Sequence, residues 1–186
     1  MALLGGGPSL TETQVQQAGR FRRVAVNDAY LLAPDADLLW FCDQRWHGWH
    51  KARPEYLAFQ GPRATLENFQ IDEEGLLHFR NDGLTGLCIE PDGVRTGSNS
   101  GYQALNLAVN MGAKRILLLG FDMRVIGGQA NWHRNHKLKM PPAIFQRMVG
   151  YWRTTVEPLK RLGVEVVNCT SGSALDFFPY RPIEEL

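Results

Sequence analysis

The sequence predicts an α/β fold of the doubly wound, Rossmann-like kind, in which helices cover both faces of a mainly parallel sheet. Two observations carry this prediction. Residues 116–119 are apolar at every position, which is typical of a parallel strand that is buried on both faces. Short apolar segments also alternate with segments of helical periodicity along much of the chain, as expected where each strand is followed by a crossover helix.

Length and composition predict one domain spanning residues 1–186. A chain of 186 residues with 44% apolar and 21% charged residues can bury most of its apolar surface without disulfides. The net charge of +1 gives no general attraction to nucleic acid or to an anionic membrane, so any anion site must be local. No stretch approaches the roughly 20 apolar residues of a membrane helix. The three cysteines, an odd number and widely spaced, indicate reduced core residues and a cytoplasmic protein.

The first third of the chain predicts three strands with polar residues at their ends. The strands are expected at residues 2–4, 22–25 and 37–42, and a helix is expected at 10–18, capped at Ser9 or Thr11. Because the carboxyl ends of parallel strands share one edge of a sheet, we expect the residues that follow these strands and the strand at 116–119 to converge on one ligand. The alternative is that the polar ones are ordinary helix caps. These residues are Gly5, Asn27, Asp43 and Asp122.

The stretch from residue 96 to residue 122 predicts an anion site together with its scaffold. A loop of small polar residues precedes a segment of helical periodicity that begins near Tyr102 and is closed by Gly112. Phosphates are stabilised at such a helix N-terminus by free backbone N–H groups and by the helix dipole. The loop residues are Gly97, Ser98, Asn99, Ser100 and Gly101.

Residues 57–94 are predicted to form a small irregular β addition. Short strands are expected at 57–59, 76–79 and 87–89, either as an irregular antiparallel addition or as an edge of the main sheet. This part of the sequence indicates no chemistry.

Two histidine pairs have a three-residue step that could place two imidazoles on one helical face, but neither pair carries the adjacent acid of a zinc-protease helix. We therefore predict no metal site. His133 and His136 lie in a loop rich in Gly, Asn and basic residues that follows Asp122, where a histidine is suited to act as a general base. A solvated loop is the alternative. The pairs are His47 with His50, and His133 with His136.

The last part of the chain predicts an amphipathic helix at 143–162, which Pro158 would kink near its end and Gly163 would cap, and then a strand at 164–167. A second polar loop at 168–173 follows this strand. Such a loop is suited to hold a base or a ribose, and a plain turn is the alternative.

Four segments together resemble the bacterial sialyltransferases of glycosyltransferase family 42. The related motility accessory factor domain and the archaeal 6-hydroxymethyl-dihydropterin pyrophosphokinase share these features, and stand-alone versions of about this length occur in prophages. The resemblance covers about two thirds of the chain, and its most specific part is the long central block. The segments are GGGPS, VAVNDAY, TGSNSGYQALNLAVNMGAKRILLLGFDM and NCTSGSALDFFP.

The resemblance implies roles for particular residues. It implies that phosphate contacts come from the glycine turn, that the nucleotide or sugar is held by two strand-end residues, and that the donor is contacted by a Ser-Gly pair and its neighbours. It places the nucleobase at the last polar loop. In that order the residues are Gly6, Gly7, Pro8 and Ser9; Asn27 and Asp43; Asn99, Ser100 and Gly101; and Thr170, Ser171 and Gly172. We add Ser98, from the same loop of small polar residues, to the nucleotide-binding candidates.

The resemblance further implies a catalytic histidine, for which His136 is the first candidate and His133 the second, and we add Asp122 to the candidate catalytic residues. The chain departs from the family in having no tyrosine between residues 123 and 148, where the family's lid tyrosines hold the leaving phosphate. The family's arginine ahead of the Ser-Gly pair is not matched in register, although Arg95 is near.

We therefore expect a nucleotide-binding transferase, most closely a glycosyltransferase that uses a nucleotide-sugar, such as a CMP-linked sugar, by direct displacement without a tightly bound cofactor. One alternative is an ATP-dependent pyrophosphokinase, which would need Mg²⁺ on carboxylates such as Asp43 and Asp122. The other alternative is a non-catalytic prophage-encoded module that keeps the ligand. We expect no second domain over the pocket, so a homo-oligomer in which a neighbouring subunit supplies the cover is a further expectation.

Overall fold

The structure, a computed structural model, describes residues 1–67, 70–133 and 141–186. Eight strands form one sheet in the order β6-β5-β4-β3-β2-β1-β7-β8, and every paired strand is parallel to its neighbour. The prediction of a doubly wound, mainly parallel sheet is thereby confirmed. The strands are β1 Ala2–Leu4, β2 Arg23–Val26, β3 Leu38–Trp40, β4 Arg63–Leu66, β5 Leu76–Asn81, β6 Gly93–Val94, β7 Arg115–Leu119 and β8 Glu165–Asn168.

Helices cover both faces of this sheet. Alternate side chains of β7 enter separate hydrophobic clusters: Ile116 and Leu118 pack with the helices that follow residue 99, whereas Leu117 and Leu119 pack with the helices of the first 60 residues. Such two-sided burial accounts for the absence of apolar alternation in the strand. The helices are α1 Glu12–Ala18, α2 Gln44–His50, α3 Pro54–Ala58, α4 Ser100–Asn110, α5 Pro142–Arg153 and α6 Val156–Leu162, with 3₁₀ turns at Asn27–Leu31 and Ile183–Glu185.

The order of the strands creates a crevice between β1 and β7. From β1 the chain adds β2 to β6 outward on one side, and it then returns to place β7 on the other side of β1. Ligands of open α/β sheets bind outside the carboxyl ends of the strands at such a reversal. Here the turn after β1 lies against the residues after β7, because Gly5 N–H donates to Leu119 O (2.8 Å) and Gly7 N–H donates to Gly120 O (2.8 Å).

Residues 57–94 form the edge of the main sheet, which is the second of the two arrangements considered for them. Three short strands, β4 to β6, continue the sheet outward in parallel. The strand predicted at 57–59 is wrong, because Pro54 at the first helical position starts α3 there. The strand predicted at 87–89 is also wrong. Instead, the Asn106 side chain of α4 bonds both the N–H and the C=O of Cys88, so α4 satisfies that backbone.

Two helix predictions need correction at their ends. The first helix begins at Glu12 instead of Leu10, because Thr11 and Gln14 form a reciprocal capping box. The helix predicted at 143–162 is two helices, α5 and α6, separated at Thr154 and Thr155. Pro158 would clash with the carbonyl of Thr154 in a continuous helix, so the break comes before the proline and leaves it in the first turn of α6. Gly112 and Gly163 end their helices in the left-handed conformation, as predicted.

The three cysteines are free thiols. Within the described ranges, the structure contains no helix with the length and apolar character required to cross a membrane.

Candidate functional site

A cleft of about 310 Å³ opens at the carboxyl edge of the sheet, at the reversal between β1 and β7. Its walls come from segments that are far apart in sequence: the turn after β1, the ends of β2 and β3, helix α2, the loop before α4, the residues after β7, and α5. Of the residues predicted for the site, the lining contains Gly6, Gly7, Asn27, Asp43, Ser98, Asn99, Ser100, Gly101 and Asp122.

The glycine turn forms the floor of the cleft by packing directly on the end of β7. A Cβ atom on Gly7 would overlap Asp122 Oδ2 and lie 2.5 Å from Gly120 O, and one on Gly5 would lie 2.6 Å from Gly120 O. Gly6 has more room, because its nearest neighbour would be Asn131 Oδ1 at 3.4 Å. Glycine is therefore required at residues 5 and 7 for the close approach of two backbone segments.

Asp122 is buried at this junction, with 1% of its surface exposed. Its Oδ2 accepts hydrogen bonds from Ser9 N (3.1 Å) and Ser9 Oγ (2.9 Å), whereas Oδ1 has no hydrogen-bond partner among the described residues. Burial raises the pKa of this carboxyl, and the bonds from Ser9 act in the opposite direction. Asp122 thus presents one unsatisfied acceptor at the cleft, and Ser9 serves the site by holding this carboxylate.

Helix α4 points its N-terminus into the cleft. Asn99 caps the helix, since its Oδ1 accepts a hydrogen bond from Tyr102 N (3.0 Å). Gly97 and Ser98 before it are both left-handed, with φ of 51° and 50°. With this backbone conformation, the loop and the first turn of the helix line the cleft. Free N–H groups and the helix dipole favour an anion there.

Asn27 and Cys42 both contact Ser100 in the lining of the cleft. Asn27 Nδ2 donates to Ser100 Oγ (3.3 Å), and Cys42 Sγ lies 3.0 Å from the same oxygen. Asn27 Oδ1 is buried without a partner within the described chain. Burial raises the pKa of the Cys42 thiol to about 11, so this cysteine is a neutral lining group and a poor nucleophile.

Backbone strain is concentrated at the same place. The described chain has four non-glycine residues with positive φ, and three of them, Asn27, Ser98 and Met123, line the cleft. Such conformations cost about 1–3 kcal/mol each and are typical of binding sites, where the surrounding structure enforces them.

The charge of the lining is unusual for a phosphate site. Asp43 and Asp122 contribute carboxylates, and no lysine, arginine or histidine belongs to the described lining. Asp43 also caps α2 through Arg45 N (2.8 Å), so it is a helix cap and a cleft residue at once. Among the described lining residues, the groups that can hold an anion are backbone N–H groups and neutral side chains.

The described histidines do not belong to this lining. His47 Nε2 donates to Glu73 Oε2 (2.6 Å), whereas His50 Nε2 faces Asp28 Oδ1 (3.2 Å), so the two imidazoles are held by different carboxylates. His133 Nε2 donates to Asp28 Oδ2 (2.5 Å). His136 lies outside the described residues. Across the described ranges, no group of three or more His, Cys, Asp or Glu side chains is arranged to hold a metal.

The second polar loop supports the backbone at the end of β7. Thr170 is buried, and its hydroxyl accepts from Phe121 N (3.0 Å) and donates to Leu118 O (3.2 Å). Of the predicted site residues, Pro8, Ser9, Thr170, Ser171 and Gly172 do not belong to the described lining. Nucleobase contact by this loop remains a prediction.

An apolar wall that was not predicted for the site faces the polar floor. It consists of large side chains from α2, from the end of β7 and from α5. Two closely spaced tryptophans in the sequence, Trp46 and Trp49, are a signal for part of this wall, because such residues commonly flank a pocket. The wall residues are Trp46, Trp49, Phe121, Phe145 and Met148.

Comparison with solved structures identifies proteins of the same architecture. The chain matches the sialyltransferase CstII from Campylobacter jejuni in complex with the substrate analogue cytidine-5′-monophosphate, with a TM-score of 0.62 and 14% identity, over 98% of this chain and 84% of that one. The chain shares its fold with this sialyltransferase. A second structure of CstII, in complex with CMP-3FNeuAc, matches with a TM-score of 0.58 and 14% identity, over 97% of this chain and 85% of that one. Neither the protein-family models nor the curated proteins give a match. At this identity the likeness shows the fold.

Proposed function

We propose that the protein binds a nucleoside monophosphate linked to a sugar and transfers the sugar to an acceptor hydroxyl. The observation that carries this proposal is the cleft at the β1–β7 reversal, in which the N-terminus of α4, the glycine turn and the buried Asp122 carboxylate face one space. The fold shared with CstII supports the proposal, because CstII is in complex with CMP in one of those structures and with CMP-3FNeuAc in the other.

The charge of the described lining favours a ligand with one phosphodiester over a triphosphate. This lining has two carboxylates and no cationic side chain, so within the described residues bound negative charge is offset by N–H dipoles. A helix N-terminus acts as roughly half a positive charge, which suits a single phosphodiester and leaves a triphosphate strongly under-compensated. The apolar wall opposite the floor is suited to a base or a sugar ring.

The proposed reaction is a direct displacement at the anomeric carbon. The acceptor oxygen forms its bond to that carbon as the bond to the phosphate oxygen breaks, and His136 takes the acceptor proton. The N–H groups of Gly6, Ser98, Ser100 and Gly101 stabilise charge on the leaving phosphate, because those of Gly5, Gly7 and Asn99 donate to carbonyl groups of the protein. His133 remains the second candidate for the base.

A pyrophosphokinase is the second candidate function, and the two cleft carboxylates favour it. Asp43 and Asp122 are oxygen ligands of the kind that Mg²⁺ prefers, and Asp122 Oδ1 has no partner in the described chain. In that reaction Mg²⁺ would enter with ATP and offset its charge.

Thermal unfolding with CMP, CTP and ATP, each with MgCl₂ or with EDTA, distinguishes the two candidates. We expect CMP at about 100 times its Kd to raise Tm by ~5–10 °C in EDTA, with little added by MgCl₂. A shift produced by ATP only with MgCl₂, and none by CMP, would contradict the proposal and favour the pyrophosphokinase.

A further inference from the structure

Asp28 is a buried carboxylate just outside the cleft that receives three side-chain donors. It lies in the 3₁₀ turn Asn27–Leu31, next to the cleft residue Asn27, and 7% of its surface is exposed. Trp46 Nε1 donates to Oδ1 (2.5 Å) and His133 Nε2 donates to Oδ2 (2.5 Å). His50 Nε2 lies 3.2 Å from Oδ1, and its Nδ1 lies 2.8 Å from Tyr30 OH.

These donors belong to two segments that both contribute to the lining of the cleft, α2 and residues 130–133. Trp46 lines the cleft from α2, where its ring also stacks on His50 with ring centroids 4.1 Å apart. His133 ends the described segment whose Asn131 lines the cleft beside the glycine turn. The neighbouring Trp132 N donates to Gly6 O (3.0 Å), so this segment lies directly on the turn.

Asp28 remains ionised in this setting. Burial opposes its charge, but hydrogen bonds from His50 and Trp46, together with that from His133, outweigh the cost and hold the pKa of the carboxyl well below its usual range. An ionised carboxylate is an acceptor at both oxygens, and it can therefore hold an indole N–H and an imidazole N–H at the same time.

We propose that Asp28 is a positioning residue for the cleft: by holding Trp46 through one oxygen and His133 through the other, it fixes the distance between the α2 wall and the 130–133 segment. Ligand affinity then depends on a carboxylate that does not belong to the described lining. The part of this inference that concerns affinity rests on the proposed function, whereas the part that concerns the two walls does not.

Glu73 provides a matched control. It too is a carboxylate held by a histidine and an aromatic donor, since it accepts from His47 Nε2 (2.6 Å) and Tyr56 OH (2.8 Å), and Arg63 lies 3.8 Å away. None of these four residues belongs to the described lining of the cleft. Loss of Glu73 therefore removes a similar set of partly buried bonds, one of them to α2 through His47, without releasing Trp46 or His133.

The test compares Asp28→Ala, Glu73→Ala and His133→Ala with the wild type. CMP affinity is measured by calorimetry, and hydrogen exchange of the Trp132 amide and the NMR signal of the Trp46 indole N–H are measured without ligand.

We expect Asp28→Ala to weaken CMP binding about tenfold or more, to speed exchange at Trp132 about tenfold, and to shift the indole signal. Glu73→Ala is expected to lower stability while changing none of the three readouts. His133→Ala, which leaves the bonds of Asp28 to α2 in place, is expected to speed exchange at Trp132 even if Asp28→Ala does not fold.

Two results would overturn the proposal. The first is equal effects of Asp28→Ala and Glu73→Ala on Trp132 exchange and on the indole signal, which would reduce Asp28 to general structural support. The second is wild-type exchange at Trp132 in both Asp28→Ala and His133→Ala. If the wild type binds no CMP, the proposed function fails, and the two ligand-free readouts still decide whether Asp28 positions the walls.

Discussion

Gly7→Ala is expected to abolish CMP binding and to lower the free energy of unfolding by about 3 kcal/mol. The added methyl would overlap Asp122 Oδ2 and lie 2.5 Å from Gly120 O. Neither neighbour has room to move, because Asp122 is buried and held by Ser9, and Gly120 O accepts the hydrogen bond of Gly7 N–H. The turn must therefore shift away from β7, and the floor of the cleft shifts with it.

Gly6→Ala is the control for this substitution. It adds the same methyl one residue earlier, where the nearest atom is a side-chain oxygen of Asn131 at 3.4 Å. We expect it to change the free energy of unfolding by less than ~1 kcal/mol. Urea unfolding and calorimetry with CMP measure both effects. If Gly7→Ala matched Gly6→Ala in stability and in affinity, the close packing of the turn on β7 would be refuted.

His136→Ala is expected to lower the turnover of a CMP-linked sugar by about 10²–10⁴-fold while CMP affinity changes by less than about threefold. The physical reason is that a general base acts on the acceptor proton in the transition state and contributes little to holding the nucleotide. Rates of CMP release, with and without acceptor, and calorimetry with CMP separate the two quantities.

His78→Ala controls for the loss of a histidine, because His78 is exposed on β5 at the other end of the sheet order from β7. Its turnover should equal that of the wild type. Equal turnover in His136→Ala and wild type would remove His136 as the base. Turnover absent from the wild type, with CMP still bound, would favour a non-catalytic nucleotide-binding module.

Much of the fold was predictable because several strands can be recognised from their own apolar residues. Residues 2–4, 24–26 and 116–119 are apolar at every position, and the capping residues Thr11, Gly112 and Gly163 act within one or two turns of their helices. The edge at 63–94 was harder to predict. Strand β6 has two residues, and the neighbouring backbone at Cys88 is satisfied by Asn106, 18 residues away, which no local pattern reveals.

Likewise, part of the candidate site could be predicted from local sequence and part could not. The carboxyl ends of parallel strands lie at one edge of the sheet, so the sequence was sufficient to predict that Asn27, Asp43 and Asp122 lie close together. The bonds of Asp28 could not, since its partners lie 18, 22 and 105 residues away and depend on how α2 packs. Thr170 illustrates a further reason, because a loop of small polar residues has the same composition whether it contacts a ligand or braces a backbone.

A crystal structure of the protein with CMP tests the central claim most directly. The account predicts the phosphate against the N–H groups at the N-terminus of α4 and the Gly5–Gly7 turn, with the nucleoside between this floor and the apolar wall, and no metal ion needed for binding. CMP bound elsewhere on the surface, or a phosphate held by cationic side chains away from the β1–β7 reversal, would contradict it.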